Sequence, residues 1–233
     1  MVRIFTLRQI ASMATLMWGL SGVVQAEQTM DLDVFAIPSS SINHLVATTS
    51  DQLKQQGMVS FYEKGMPVHA TLYLTNYPER AKSHLLRIAK QIAARSKPFA
   101  LKADGITVTK GNWVFINLKD SKSFQRLADE VTLAAEPYRN QAAQLPSWVK
   151  DYPNKLAAFT RYGSPNVFQN FQPHLTLLAN EKSPNLRQFK QAVLTNPPQA
   201  SGQIIGIGVG IADQWGQQKK VLATYLFPAN THK

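Results

Sequence analysis

The sequence predicts an α+β protein built from two halves related by a pseudo-twofold axis. Three observations lead there. Segments with strand character alternate with segments of helical periodicity along the chain. The order strand, helix, strand, strand occurs twice. Each copy opens on the same pattern, His69-Ala70-Thr71-Leu72 and then His174-Leu175-Thr176-Leu177.

Taken in order, Leu32 to Pro38 reads as a strand ended by proline. Ser39 to Ser41 supply cap residues for a helix with Ile42, Leu45, Val46 and Leu53 at helical spacing. The first histidine strand runs from Val68 to Leu74, and Pro78 opens a helix with Ala81, Leu85, Ile88 and Ile92 on one stripe. Strands Gly105 to Lys110 and Asn112 to Leu118 follow, joined at Lys110-Gly111-Asn112. Phe124, Leu127, Val131 and Ala135 mark a third helix that Pro137 ends or kinks. Gln144 to Tyr162 forms a short helix and connector. The second half holds the strand His174 to Ala179, a helix with Leu186, Phe189 and Val193, and strands Gln203 to Ala212 and Lys219 to Phe227. Gly206, Gly208 and Gly210 imitate a nucleotide loop, but they alternate with Ile205, Ile207, Val209 and Ile211 along that strand. They lie on one face of it, open to close approach by a ligand or another element.

A strand sends alternate side chains to opposite faces. His69, Thr71 and Tyr73 are therefore expected on one face, and His174, Thr176 and Leu178 on one face of the second strand. The chain has five histidines, and two carry this identical context. Packing alone gives no reason to repeat an imidazole beside a hydroxyl. With an ordinary pKa near 6.5, one neutral and one protonated ring coexist near neutral pH. One accepts a proton from an attacking oxygen and the other gives one to the leaving oxygen. Thr71 and Thr176 can donate to non-bridging phosphate oxygens, where charge gathers in the transition state. The set suits phosphoryl chemistry and requires no cofactor and no metal. His44 and His84 fall on helices beside apolar stripes, and His232 in the tail, so none is a candidate.

Composition sets the frame. Arg3 and Arg8, the apolar run Ile10 to Val24 and Val24-Gln25-Ala26 read as an export signal with a cleavage site. The expected organisation is a signal peptide over 1–26 and one bilobal domain over 27–233, periplasmic or secreted. No second apolar span follows, so no membrane span is expected after signal removal. Absence of cysteine removes disulfides and thiolate metal sites. Net charge falls from +11 to +9 once Arg3 and Arg8 leave with the signal. A basic body favours anionic partners, although Lys219, Lys220 and the lysines between 102 and 122 are too scattered to mark a nucleic-acid surface, and no reading of duplex DNA is expected.

The two motifs resemble those of the 2H phosphoesterase superfamily, which includes 2′,3′-cyclic phosphodiesterases and 2′-5′ RNA ligase-like proteins. Phe171 to Leu177 is similar to the family's second motif and Val34 to Pro38 to its opening strand. The resemblance implies two antiparallel-sheet lobes with helices outside and an active groove between them. It implies His69 and His174 as catalytic residues and Thr71 and Thr176 as phosphate-binding ones. Tyr73-Leu74-Thr75-Asn76 lacks the Gly-acid ending of the RNA ligase-like branch, and export is unusual for it, so the departure falls on the substrate rather than the machinery. Tyr73, Arg161 and Tyr162 are further candidates for substrate contact. The expected partner of a monomeric protein is a cyclic or oligonucleotide phosphodiester. A zinc site on the two histidines and a non-catalytic periplasmic protein binding nucleotides or phosphorylated ligands are the alternatives.

Overall fold

Strict alternation sets Leu32, Val34 and Ala36 on the buried face of β1 (Thr29–Pro38), with Asp33, Phe35 and Ile37 on the other. The structure, a computed structural model, describes residues 27–229, so the expected export signal lies outside the described residues. After β1 come α1 (Ser40–Gln55), β2 (Ala70–Pro78), α2 (Lys82–Arg95), β3 (Phe99–Val108), β4 (Val114–Leu118) and α3 (Lys122–Ala135). Then follow α4 (Pro153–Tyr162), β5 (His174–Leu178), α5 (Leu186–Thr195), β6 (Gln199–Ala212) and β7 (Gln218–Leu226).

Local chemistry explains most boundaries. Ser121 caps α3 by accepting the Phe124 N–H at 3.2 Å. Pro137 stops that helix, which passes into one 3₁₀ turn over Glu136–Tyr138. Pro153 opens α4, and Gly163 closes it in the left-handed region at φ 68°. Ser39 stands at the N-cap of α1, yet its hydroxyl does not cap the helix. It accepts the Gln203 N–H of β6 at 3.0 Å, which ties the start of α1 to the sheet. β3 begins at Phe99, earlier than expected, because Phe99 to Asp104 pairs with the first half of β6.

The strands form one antiparallel sheet in the order β2-β1-β6-β3-β4-β5, with β7 on β6. β6 is long enough to serve two lobes. Its first part, Gln199 to Ile204, pairs with β3, and its second part pairs with β1 on one edge and β7 on the other. One lobe is thus β2-β1-β6-β7 and the other β5-β4-β3-β6, the expected two antiparallel lobes joined through a shared strand. The chain halves are exchanged between them: β2 lies with the late hairpin β6–β7, and β5 with the early hairpin β3–β4. The two histidine strands end the sheet order, and the sheet curls until β2 and β5 touch. Helices cover the outer faces, where Ile42, Leu85, Phe124, Val131 and Phe189 join Leu72, Ile116 and Val209 in one apolar core. Among the described residues no helix is long and apolar enough to cross a membrane.

Candidate active site

Each motif begins where its strand begins. His69 immediately precedes β2 and His174 is the first residue of β5. In both, ring Nδ1 faces the carbonyl two residues back: Pro67 at 3.0 Å and Gln172 at 2.8 Å. In both, the threonine lies opposite a phenylalanine, Thr71 against Phe35 and Thr176 against Phe115. That phenylalanine packs on the histidine of its own lobe, with centroids 5.4 Å apart for Phe35–His69 and 4.3 Å for Phe115–His174. In both, the next residue is a bulge. Val34 faces Tyr73 while Phe35 faces Thr71, leaving Leu72 unpaired; Val114 faces Leu178 while Phe115 faces Thr176, leaving Leu177 unpaired.

The bulges correct the expected faces. An extra residue reverses the side on which every later side chain emerges. Tyr73 therefore leaves the histidine face. It is 1% exposed, packs edge-on against Tyr77, and donates its hydroxyl to the Tyr162 carbonyl. Burial raises its pKa. Leu178 likewise turns into the core, at 3% exposure. Leu74 takes the histidine face, against the turn that carries Gly216. Arg161 and Tyr162 go with Tyr73 to the helical side of the sheet, because α4 returns to β5 behind it. Arg161 reaches Glu136 at 3.5 Å and lies over the Tyr162 ring. Tyr73, Arg161 and Tyr162 are thus placed away from the histidines.

The two motifs themselves come together. His69, Leu175 and Thr176 line one crevice with Phe61, Met66 and Gln217. The loop before His69 is pinned to β5 by the Phe61 N–H, which donates to the Leu177 carbonyl at 2.9 Å. The imidazoles are near enough that positive charge on His69 disfavours charge on His174. Burial is the main cause lowering the His174 pKa, opposed by the Gln172 carbonyl and reinforced by His69 and by Lys155 of α4. Burial also lowers His69, against the carbonyls of Pro67 and Gly216 and the charge of Asp213. His69 Nε2 lies 3.3 Å from the Gly216 carbonyl, a long hydrogen bond. Among the described residues no three His, Asp or Glu side chains form a metal-binding group.

Three further features belong to the site. The carboxyl of Asp33, 0% exposed, accepts the Thr71 hydroxyl at 3.0 Å and the Gln218 amide at 2.7 Å, both on Oδ2. The same oxygen is 3.7 Å from His69 Nε2. Burial pushes Asp33 up to about 7, outweighing both hydrogen bonds. Burial drives carboxyl and imidazole alike toward neutrality, which works against an ion pair at this contact. The glycine face of β6 is filled from within: a Cβ on Gly208 would strike the Phe35 ring at 2.2 Å, and one on Gly210 the Gln218 amide at 2.0 Å. An arc of half-exposed rings also runs from His174 through Phe115 and Trp113 to Trp215, which adjoins Gly216. Asp33, an acid inside an apolar strand, leaves a trace in the sequence, but that trace does not say what the carboxyl faces.

A model of the 2′-5′ RNA ligase superfamily matches residues 46–210. Among solved structures, the Thermus thermophilus protein TT0787 is 15% identical with a TM-score of 0.55, over 86% of this chain and 100% of that one. E. coli LigT complexed with NADP+ is 15% identical with a TM-score of 0.50, over 86% and 98%. LigT complexed with 3′-AMP is 13% identical with a TM-score of 0.50, over 87% and 99%. No curated protein matches the sequence. The superfamily match covers more than half of the chain and includes both motif strands, and the chain therefore belongs to the 2′-5′ RNA ligase superfamily of 2H phosphoesterases.

Proposed function

We propose that this protein is a phosphodiesterase that cleaves a cyclic or oligonucleotide phosphodiester by general acid–base catalysis between His69 and His174, without a metal. The observation that carries the reading is the duplicated construction of the motif. Carbonyl, phenylalanine, threonine and bulge recur in both lobes around two imidazoles, of which His174 senses charge on His69. Hydrogen bonding favours a division of labour. His174 Nδ1 holds its proton on Gln172, which leaves Nε2 with a lone pair to take a proton from the attacking oxygen. His69 has carbonyl oxygens at both nitrogens, a setting that suits the protonated ring, and its weak Nε2 bond to Gly216 can be exchanged for the leaving oxygen. An anionic diester bound between them raises both imidazoles and offsets part of the effect of burial. Thr71 and Thr176 donate to the non-bridging oxygens.

The Phe115, Trp113 and Trp215 rings support a substrate with a planar base, because every nucleobase stacks on an aromatic face. The complexes of LigT with 3′-AMP and NADP+ support it also. The basic body favours an anion. Arg3, Arg8, the apolar run Ile10 to Val24 and the Val24-Gln25-Ala26 site support action outside the cytoplasm, with residues 27–233 as the working domain, and the proposed working form is a monomer. Turnover of 2′,3′-cyclic nucleotides, 2′-5′ oligonucleotides and glycerophosphodiesters by the mature protein in EDTA tests the reading. Cleavage of one of the first two classes is expected. Binding without turnover across the panel would contradict it and leave a non-catalytic nucleotide-binding protein.

A further inference from the structure

Asp33 has no counterpart in the second lobe. Two residues before the phenylalanine that faces the motif threonine, the first lobe has Asp33 and the second has Trp113. The carboxyl is fully buried, no lysine or arginine pairs with it among the described residues, and its Oδ1 has no hydrogen-bond partner. Gln218 donates its amide to Oδ2, and Gln218 Oε1 is likewise buried without a partner. The two orphaned acceptors belong to the same two side chains. A proton on Oδ1 supplies the donor that both oxygens lack, since a carboxylic acid and a primary amide can pair face to face through O–H···O and N–H···O. An ionised Asp33 would instead leave a buried charge with one oxygen bare, which is far costlier.

We propose that Asp33 is a positioning residue that works as a neutral acid: paired with Gln218, it keeps negative charge away from the anionic substrate and leaves Thr71 free to turn its hydroxyl toward the phosphate. When ionised, it holds the Thr71 hydrogen and repels the substrate. The proton comes from solvent and stays on the carboxyl, so no other group changes. The titratable groups around it are His69 at 3.7 Å, Tyr77 farther along β2, which senses its charge, and Asp213, which acts on His69 from the β6–β7 turn. Burial and the raised carboxyl pKa agree with the proton count. The substrate part of this inference rests on the phosphodiesterase reading; the protonation of Asp33 does not.

Asp33→Asn keeps the shape and cannot ionise, and Asp33→Ala removes the contact. Measured with 2′,3′-cyclic AMP, whose phosphate stays monoanionic throughout, the wild-type KM is expected to rise about tenfold from pH 6 to pH 8 as the competent neutral form is depleted. That rise disappears in Asp33→Asn. Asp33→Ala loses kcat/KM at both pH values, and Asp33→Asn restores most of it at pH 8. A KM raised by Asp33→Asn at every pH would overturn the proposal, since the carboxylate would then be the form required. If no diester is cleaved, the catalytic reading falls, and thermal unfolding still decides Asp33. The Tm of Asp33→Asn relative to wild type should climb by roughly 10 °C between pH 4 and pH 8, and a constant difference would overturn the proposal. Should neither variant fold, carboxyl ¹³C NMR of the wild type decides: one aspartate titrating near neutrality supports it, and all titrating below pH 5 refutes it.

Discussion

His69 is 7% exposed, has carbonyls at both ring nitrogens and lies beside a buried carboxyl, whereas half-buried His174 has one carbonyl partner and packs on Phe115. The first lobe closes its motif with Asp33, Gln218 and the turn at Gly216. The second leaves its motif beside the open rings of Phe115 and Trp113. The parts repeated in both lobes are those that aim a ring and a hydroxyl. The parts that differ set where a proton rests and what shape lies alongside. On the proposed reading, duplicating a strand-and-bulge unit provides two similar acid–base groups, and unlike surroundings give them unlike tasks.

The largest expected effect breaks both copies. His69→Ala and His174→Ala should each lower kcat by about 10²- to 10⁴-fold with Tm little changed, measured by steady-state kinetics and calorimetry. Retention of most activity by either variant would contradict a reaction that needs one histidine from each lobe. Next come the threonines. Thr176→Val should cost about 10²-fold in kcat through loss of one phosphate donor. Thr71→Val should cost about as much and also free Asp33 of one of its donors, which raises the carboxyl further and makes the variant relatively less stable at pH 8 than at pH 5. Trp113→Ala sharpens the difference between the lobes. It should raise KM for a nucleotide diester by about tenfold and leave glycerophosphodiester kinetics unaffected, matching the usual worth of one stacked base. Smallest is Tyr73→Phe, which removes a buried hydroxyl from Tyr162 on the far side of the sheet. It should cost roughly 1 kcal/mol of stability and change kcat less than threefold.

Stability carries the same contrast. A carboxyl whose pKa goes from 3.8 to about 7 on folding binds its proton more tightly in the folded state. Its contribution is present at low pH and is lost as pH rises from about 4 through 7, by about 4 kcal/mol. The two histidines, lowered by burial, act in the opposite sense: stability falls as pH drops below about 6.5, where the unfolded chain takes up protons the folded rings refuse.

Histidine count and context are enough to pick out the proposed pair His69 and His174 from sequence, because a repeated residue pattern on a strand survives any uncertainty in pairing. The order of elements was legible for the same reason. The bulges at Leu72 and Leu177 were not, since they arise from pairing with β1 and β4, strands far away in the chain. Missing them puts Tyr73 on the wrong face, whereas Arg161 and Tyr162 are candidates in the sequence only because they precede the second motif. Asp33 was hidden differently: an isolated acid in an apolar strand looks like a solvent-facing residue until Thr71 and Gln218 are seen to converge on it. The exchange of hairpins between halves was likewise invisible, because it depends on β6 being long enough to pair with β3, β1 and β7.

The pH profile of kcat for one cleaved diester, recorded in EDTA for the wild type and both alanine variants, bears most directly on the paired-histidine claim. The account predicts a bell for the wild type, loss of its acid limb in His174→Ala and loss of its alkaline limb in His69→Ala. An unchanged bell in either variant would contradict it.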